Sequence, residues 1–154
     1  MYAPSNEVIT VLGELQAQNI YPILYGSVAV SLYLGPFKVF SDIDLLVPEA
    51  YLEDDWESFQ TLLNEIGFQL TDEHEHEFLR ADAQLNFASD SILVRDGIVS
   101  SLDEVVSVTA ASLTVRTLSR EALIRAYEYS MQDGYRKDQR GKNDQMIIDL
   151  LRAA

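Results

Sequence analysis

Hydrophobic residues recur every three or four positions in several parts of the chain, which is the spacing of an amphipathic helix. The segments with this spacing are 5–19, 54–66, 119–132 and 143–151. Ser5 and Ser119 can cap the first and third of these helices, and Gly67 can end the second. The side chains predicted to face inward are Val8, Val11, Leu12 and Leu15, then Trp56, Phe59, Leu62, Leu63 and Ile66, and finally Leu123, Ala126 and Tyr127.

Short apolar or alternating runs between these helices predict β-strands. They cover 23–25, 42–47, 68–80, 83–88 and 113–117, and a two-residue turn at Ala81-Asp82 joins the third run to the fourth. Residues 89–107 are weakly patterned, and short strand, helix and loop stay open there. The mixture predicts a mixed α/β (α+β) fold in a single domain spanning 1–154, with a helical C-terminal segment from about 119.

One predicted strand carries two aspartates, although aspartate is depleted in strands. Residues two apart in a strand point to the same face, so Asp42 and Asp44 project together while Ile43 and Leu45 point into the core. Two adjacent carboxylates repel each other unless a cation lies between them, and oxygen ligands suit Mg²⁺. The pattern therefore indicates a divalent-metal site, whereas the simpler alternative is a polar edge strand with solvated aspartates.

Gly26-Ser27 directly follows the apolar strand Ile23–Tyr25 and precedes a short predicted helix. Glycine lets the backbone approach a ligand closely, and the free N–H groups at the start of a helix attract anions. Such a turn is common and means little alone. Together with the downstream aspartates, it indicates a phosphate site beside a metal site.

These residues resemble the nucleotidyltransferase superfamily, the DNA polymerase β-like fold, and in particular its small single-domain members. The family signature is an apolar residue, Gly-Gly or Gly-Ser, a spacer and then Asp-apolar-Asp/Glu-apolar. Here it is Tyr25-Gly26-Ser27, a spacer over 28–41 and Asp42-Ile43-Asp44-Leu45. The spacer is slightly longer than usual, and the loop 35–40 could absorb the difference. The resemblance implies a mixed sheet with helices packed mainly on one face.

The resemblance also implies a transferase that moves a nucleoside monophosphate from ATP or another nucleoside triphosphate to an acceptor. Asp42 and Asp44 would be catalytic residues that hold Mg²⁺, and Gly26 and Ser27 would bind the β- and γ-phosphates. A small molecule, a protein hydroxyl and an RNA end remain open as acceptors.

A third carboxylate commonly completes the metal site or accepts the proton in this family, and here the matching position holds Asn86. An amide cannot act as a general base near neutral pH. If Ala81-Asp82 is a hairpin turn, Glu77 lies directly across from Asn86. We therefore hypothesise that Glu77 is a catalytic residue that completes the acidic cluster, against the alternative of a solvated strand residue.

His74 and His76 fall within the predicted strand 68–80, where alternation would place both on one face with Phe78. A zinc site would need a third protein ligand, and the chain contains no other histidine and no cysteine. Edge or partly buried histidines are the preferred interpretation.

The net charge of −14 argues against binding to nucleic acid, because a phosphate backbone would be repelled. Eight of the eleven basic residues lie in the last third of the chain, where Arg136, Lys137, Arg140 and Lys142 form a cluster. The cluster is interpreted as a solvated helix end, with a nucleoside triphosphate site as the alternative. The absence of cysteine fits a cytoplasmic location. The uncharged stretch 15–37 contains polar residues and prolines, so it predicts buried structure and not a membrane span.

Three functions remain open from the sequence. The first is an active Mg²⁺-dependent nucleotidyltransferase, and the second is a nucleotide-binding protein of the same fold without turnover. The third is an antitoxin-like interaction protein, whose acidic surface would neutralise a basic protein partner. The pair of aspartates favours the first two functions, and the strong acidity favours the third.

Overall fold

A computed structural model of the chain describes residues 1–35, 42–132 and 134–154, with the backbone alone at 134–140 and 142. The α-helices are α1 (Asn6–Gln16), α2 (Gly26–Leu34), α3 (Trp56–Glu65), α4 (Ile92–Arg95), α5 (Arg120–Ser130) and α6 (Gly134–Ala153). The strands are β1 (Ile23–Tyr25), β2 (Ile43–Val47), β3 (Gln69–Asp72), β4 (Glu77–Arg80), β5 (Ala83–Ser89), β6 (Val106–Ala110) and β7 (Leu113–Thr117). Short 3-10 helices cover Glu49–Leu52 and Leu102–Glu104.

The strands of the described ranges form one mixed sheet in the order β3-β4-β5-β2-β1-β7-β6. β2 runs parallel to β5, and β1 runs parallel to β7. The remaining neighbours pair antiparallel. The predicted mixed α/β fold is confirmed, and β2 with its aspartate lies at the centre of the sheet.

One face of this sheet is apolar and carries α1 and α3. Phe59 of α3 packs edge-on against Phe87 and Phe78, with ring centroids 4.9 and 6.4 Å apart. Leu45 pairs with Phe87 across β2 and β5 and shares this face. Ser5 accepts a hydrogen bond from the backbone N–H of Val8 and caps α1, whose four predicted inward residues are all buried. Because side chains alternate along a strand, Asp44 of β2 points to the face opposite Leu45.

Helix α2 is buried around most of its circumference, which explains why the sequence there lacks charge. Its residues Val28 to Leu32 are all buried, and it contacts β1, β2, α5 and α6. The Tyr33 hydroxyl donates to the Leu118 carbonyl at 2.7 Å, just before α5, and burial raises the pKa of Tyr33. Tyr33 therefore ties α2 to the start of α5. Among the described residues no helix combines the length and the apolar character needed to cross a membrane.

The prediction of one strand over 68–80 is wrong, because the segment forms β3, a turn and β4. The Asp72 carboxylate accepts a hydrogen bond from the backbone N–H of Glu75 at 3.2 Å, which folds the chain back. His76 adopts a left-handed backbone with φ of 50°. His74 and His76 thus lie in the turn and do not alternate along a strand, so the expectation that they share a strand face with Phe78 is also wrong.

The C-terminal helix is longer than predicted, since α6 begins at Gly134 and not at 143. The weakly patterned region 89–107 contains α4, a 3-10 helix and the start of β6. Residues 36–41 of the spacer, Asp133 and the side chains of the basic cluster lie outside the described residues.

We expect Ser119→Ala to lower the free energy of unfolding by about 1 kcal/mol. The Ser119 hydroxyl accepts a hydrogen bond from the backbone N–H of Ala122 at 3.1 Å and caps α5. Ser119→Asp is the matched control, because aspartate caps helices as well as serine does. Urea unfolding of the three proteins measures the difference, and equal loss of stability in both variants would contradict the capping role.

Candidate active site

The centre of the site is a contact between Gly26, the first residue of α2, and the carboxylate of Asp44. A Cβ atom placed on Gly26 would lie 2.4 Å from Asp44 Oδ2 and 3.2 Å from its Cγ. Gly26 also has φ of +62°, a conformation that other residues rarely adopt. Glycine is therefore favoured for two reasons at this position, its backbone conformation and the room that the carboxylate occupies.

The start of α2 brings backbone N–H groups next to this carboxylate. Tyr25 occupies the N-cap position with an extended backbone, and its side chain makes no capping hydrogen bond. The first N–H groups of a helix have no partner within the helix and carry the positive end of its dipole. Ser27, the second residue of α2, is half-buried. The arrangement thus offers donors for an anion beside a carboxylate that can hold a cation.

Polar residues continue from Asp44 in a row across the sheet. Asp44 pairs with Tyr25 of β1 on one side and with Asn86 of β5 on the other. Asn86 in turn pairs with Glu77 of β4. Directly paired residues share a face, so the row Tyr25, Asp44, Asn86 and Glu77 lies on one side of the sheet. The predicted hairpin at Ala81-Asp82 and the predicted register of Glu77 opposite Asn86 are confirmed.

Both carboxylate oxygens of Glu77 are engaged by neighbouring side chains. The Thr71 hydroxyl donates to Oε2 at 2.7 Å, and the Gln84 amide donates to Oε1 at 2.9 Å. The same Gln84 nitrogen also donates to Asn86 Oδ1 at 3.1 Å. Glu77 is therefore connected to Asn86 through Gln84.

Glu77 is not brought together with the aspartates as a third ligand. Its backbone lies two strand spacings from that of Asp44, about 10 Å. Within residues 1–35, 42–132 and 134–154, no group of three or more His, Cys, Asp or Glu side chains is placed to hold a metal ion. This finding gives no support to the three-carboxylate cluster or to a zinc site at His74 and His76.

Asp42 immediately precedes β2 and is half-buried. Both Asp42 and Asp44 make further interactions. Asp44 lines the cavity described below. Asp42 is not among the described residues that line it. The structure thus places Asp44 at the centre of the site and Asp42 directly before the first residue of the same strand.

A cavity of about 260 Å³ opens above this part of the sheet. Its floor includes Asp44 and Asn86 together with Leu46 and Ala88, and Glu75 from the turn lies at its edge. Helix α5 forms the opposite wall through Leu123, Ala126, Tyr127 and Ser130. The sequence predicted Leu123, Ala126 and Tyr127 as core residues, and no signal in it distinguishes the wall of a cavity from the core. Gln84 and Glu75 were likewise missed.

A second cavity of about 250 Å³ adjoins the first, and the two share Glu75, Phe87 and Ala88. Glu49, Glu53, His74 and His76 line it as well. The His76 ring meets the Trp56 ring edge-on at 4.9 Å, which holds the histidine at the margin of the aromatic cluster. His76 is half-buried and His74 is exposed, which fits the preferred interpretation of edge or partly buried histidines.

Solved structures of two antibiotic-modifying enzymes share this fold. The lincosamide antibiotic adenylyltransferase LnuA, solved with lincomycin, superposes with a TM-score of 0.61 at 15% identity, covering 99% of this chain and 98% of LnuA. ANT(2")-Ia, solved with adenylyl-2"-tobramycin, superposes with a TM-score of 0.56 at 14% identity, covering 97% and 98%. The chain has the nucleotidyltransferase fold. The resemblance noted in the sequence is thus confirmed at the level of the fold.

Sequence comparison adds one relative. The uncharacterized protein YnaI of Bacillus subtilis (strain 168) is 29% identical to this chain over 149 residues, which covers 95% of this chain and 94% of YnaI. No model of a protein family matches the chain. The fold and the residues of the site therefore carry the functional argument.

Proposed function

We propose that this protein is a nucleotidyltransferase that moves a nucleoside monophosphate from a nucleoside triphosphate, ATP in the first instance, to an acceptor hydroxyl. The observation that carries the proposal is the contact between Gly26 and Asp44. The contact brings the Asp44 carboxylate beside the first residue of α2, where free backbone N–H groups can bind phosphate, in a chain with the nucleotidyltransferase fold. ATP and magnesium are both available in the cytoplasm, where we place the activity.

The donor set fits Mg²⁺. Asp44 and Asp42 offer carboxylate oxygens, the ligand type that Mg²⁺ prefers, and the missing Cβ of Gly26 lets the Asp44 carboxylate lie directly against the start of α2. Mg²⁺ held there would supply charge neutralisation at the phosphates. In this proposal Asp42 and Asp44 are the metal-binding residues.

The chain's own groups then orient the triphosphate and the acceptor. The N–H groups of Gly26 and Ser27 at the start of α2 donate to the β- and γ-phosphates. The acceptor oxygen forms a bond to the α-phosphorus as the bond from that phosphorus to the β-phosphate bridge oxygen breaks, and pyrophosphate leaves. The acceptor proton passes to a carboxylate at the cavity, Asp44 or Glu75. Glu77 contributes through Gln84 and Asn86, and not as a third metal ligand.

The shape of the cavity favours a small acceptor. It lies between the sheet and α5, and it combines apolar side chains such as Leu46 and Leu123 with the polar Asp44 and Asn86. Pockets of this mixed character typically bind small molecules. The two antibiotic-modifying enzymes were solved with a small-molecule antibiotic or its adenylyl derivative, which supports the same class of acceptor here.

We expect ATP with Mg²⁺ to raise the thermal midpoint of the natural chain, because a ligand that binds only the folded state stabilises it. At a ligand concentration of about 100 times Kd, the expected stabilisation is about 2.7 kcal/mol. ATP without Mg²⁺ and Mg²⁺ without ATP are the controls, and each should give a smaller shift. The absence of any shift across the four ribonucleoside triphosphates would overturn the nucleotide proposal.

Transfer itself is tested with α-phosphate-labelled ATP, Mg²⁺ and a panel of acceptors. The panel contains hydroxyl-rich antibiotics such as aminoglycosides and lincosamides, cell protein and an RNA with a free 3′ end. Label on a small molecule supports the proposed acceptor class, whereas label on protein or RNA replaces it. Nucleotide binding without transfer to any acceptor would favour a non-catalytic nucleotide-binding protein, a function to which Asn86 at the third acidic position also points.

A further inference from the structure

The Glu77 carboxylate determines how the side-chain amides of Gln84 and Asn86 are oriented. A carboxylate only accepts hydrogen bonds, so the atom of Gln84 that lies 2.9 Å from Glu77 Oε1 must be its NH₂ group. Thr71 satisfies the other oxygen of Glu77, which holds the carboxylate in place. The orientation of the Gln84 amide is therefore set by chemistry and not by a choice between two equivalent positions.

Gln84 then sets the orientation of Asn86. Its NH₂ group also lies 3.1 Å from a side-chain atom of Asn86, and only the amide oxygen can accept there. The NH₂ group of Asn86 is consequently on the side away from Gln84, and Asn86 lies in the floor of the cavity next to Asp44 and Ala88. Among the described residues, no protein acceptor is found for this NH₂ group.

We propose that Asn86 presents an N–H donor to a phosphate oxygen of the bound nucleotide, and that Glu77 and Gln84 are positioning residues that hold it in this direction. The inference rests on the proposed function for the identity of the ligand. The proposal makes Asn86 a hydrogen-bond donor at a position where a carboxylate would be an acceptor. Asn86 binds an anionic oxygen, whereas a third carboxylate would bind a metal ion or a proton.

The test exchanges the acid and the amide in the double variant Glu77→Gln/Gln84→Glu, which keeps the net charge and nearly the same atoms. Residue 77 can still accept from Thr71 and can now donate to the carboxylate at position 84. That carboxylate can no longer donate to Asn86, so Asn86 must turn its NH₂ group towards position 84 and its oxygen towards the cavity. The matched control is Gln145→Glu/Asp149→Asn, which exchanges an exposed pair on α6 joined by a hydrogen bond of 3.0 Å.

The first measurement is proton exchange of the side-chain amides by nitrogen-15 NMR, without nucleotide, with the signals of Asn86 assigned by their loss in Asn86→Ser. In the natural chain we expect the Gln84 NH₂ to exchange about tenfold more slowly than the Asn86 NH₂, the factor of one typical hydrogen bond. In the double variant the Asn86 NH₂ should become protected by a similar factor. Protection of the Asn86 NH₂ already in the natural chain would overturn the proposed orientation, even if the double variant did not fold.

The second measurement is the affinity for ATP with Mg²⁺. We expect the double variant to bind at least about tenfold more weakly than the natural chain, because a donor to a charged oxygen is replaced by an acceptor. The control pair should leave the affinity unchanged. If the natural chain binds no ATP, the proposed function fails while the NMR result still decides the orientation. If ATP binds equally to the natural chain and a folded double variant, the role of Asn86 is refuted and the proposed function stands.

Discussion

Replacing Gly26 by alanine is expected to abolish the Mg²⁺-dependent binding of ATP and to lower the free energy of unfolding. The new methyl group would lie 2.4 Å from Asp44 Oδ2, so either the carboxylate or the start of α2 must move. The left-handed backbone of Gly26 adds a strain of about 1–2 kcal/mol for a residue with a Cβ atom. The measurements are the thermal shift with ATP and Mg²⁺ and the unfolding free energy in urea.

Gly97→Ala is the matched control for this substitution. Gly97 also has a left-handed backbone, with φ of +73°, but nothing lies within 4 Å of a Cβ atom placed there. The Gly97→Ala variant should therefore lose stability through backbone strain alone and keep its thermal shift with ATP and Mg²⁺. A Gly26→Ala variant that matches Gly97→Ala in both measurements would contradict the proposed role of the Gly26–Asp44 contact.

Replacing Asp44 by asparagine is expected to lower nucleotidyl transfer by about a thousandfold or more, since metal ions contribute several kcal/mol to transition-state stabilisation. The side chain keeps its size, so the fold and the contact with Gly26 should remain. Asp42→Asn should also impair transfer, because both carboxylates are proposed metal ligands. The measurement is the rate of label transfer to the acceptor at saturating ATP, together with the Mg²⁺ dependence of the thermal shift.

Asp82→Asn provides the comparison for these carboxylates. Asp82 is exposed in the turn between β4 and β5, on the same sheet but at its margin. It should leave transfer and the Mg²⁺ response unchanged, which separates a loss of metal binding from a general loss of negative charge. If Asp44→Asn transferred the label as fast as the unsubstituted protein, Asp44 would not be part of the metal site.

The signals that predicted the fold were local ones. Apolar residues at helical spacing placed α1, α3 and α5, and the capping serines Ser5 and Ser119 marked two helix starts within one residue. The phase of β2 predicted that Asp44 would oppose Leu45, because side chains alternate along a strand whatever surrounds it. The short turn at Ala81-Asp82 determined the register of β4 on β5, and with it the pairing of Glu77 and Asn86.

Local patterns misled where long-range contacts decide the structure. Alternation extended one predicted strand through 73–76, whereas the hydrogen bond from the Glu75 N–H to the Asp72 carboxylate and the left-handed backbone of His76 reverse the chain there. The start of α6 was missed because its first turns are polar and charged, and an apolar stripe is the signal on which the helix prediction depended.

The sequence by itself predicted a Gly-Ser turn before a short helix and a strand that carries aspartate, since both features depend on residues close in the chain. The tertiary structure decided how they meet. It set the Gly26 backbone against the Asp44 carboxylate, brought α5 over the sheet to close a cavity, and engaged Glu77 with Thr71 and Gln84. Side-chain orientation in that row depends on hydrogen bonds between three strands, and no pattern along a single strand encodes which way an amide turns.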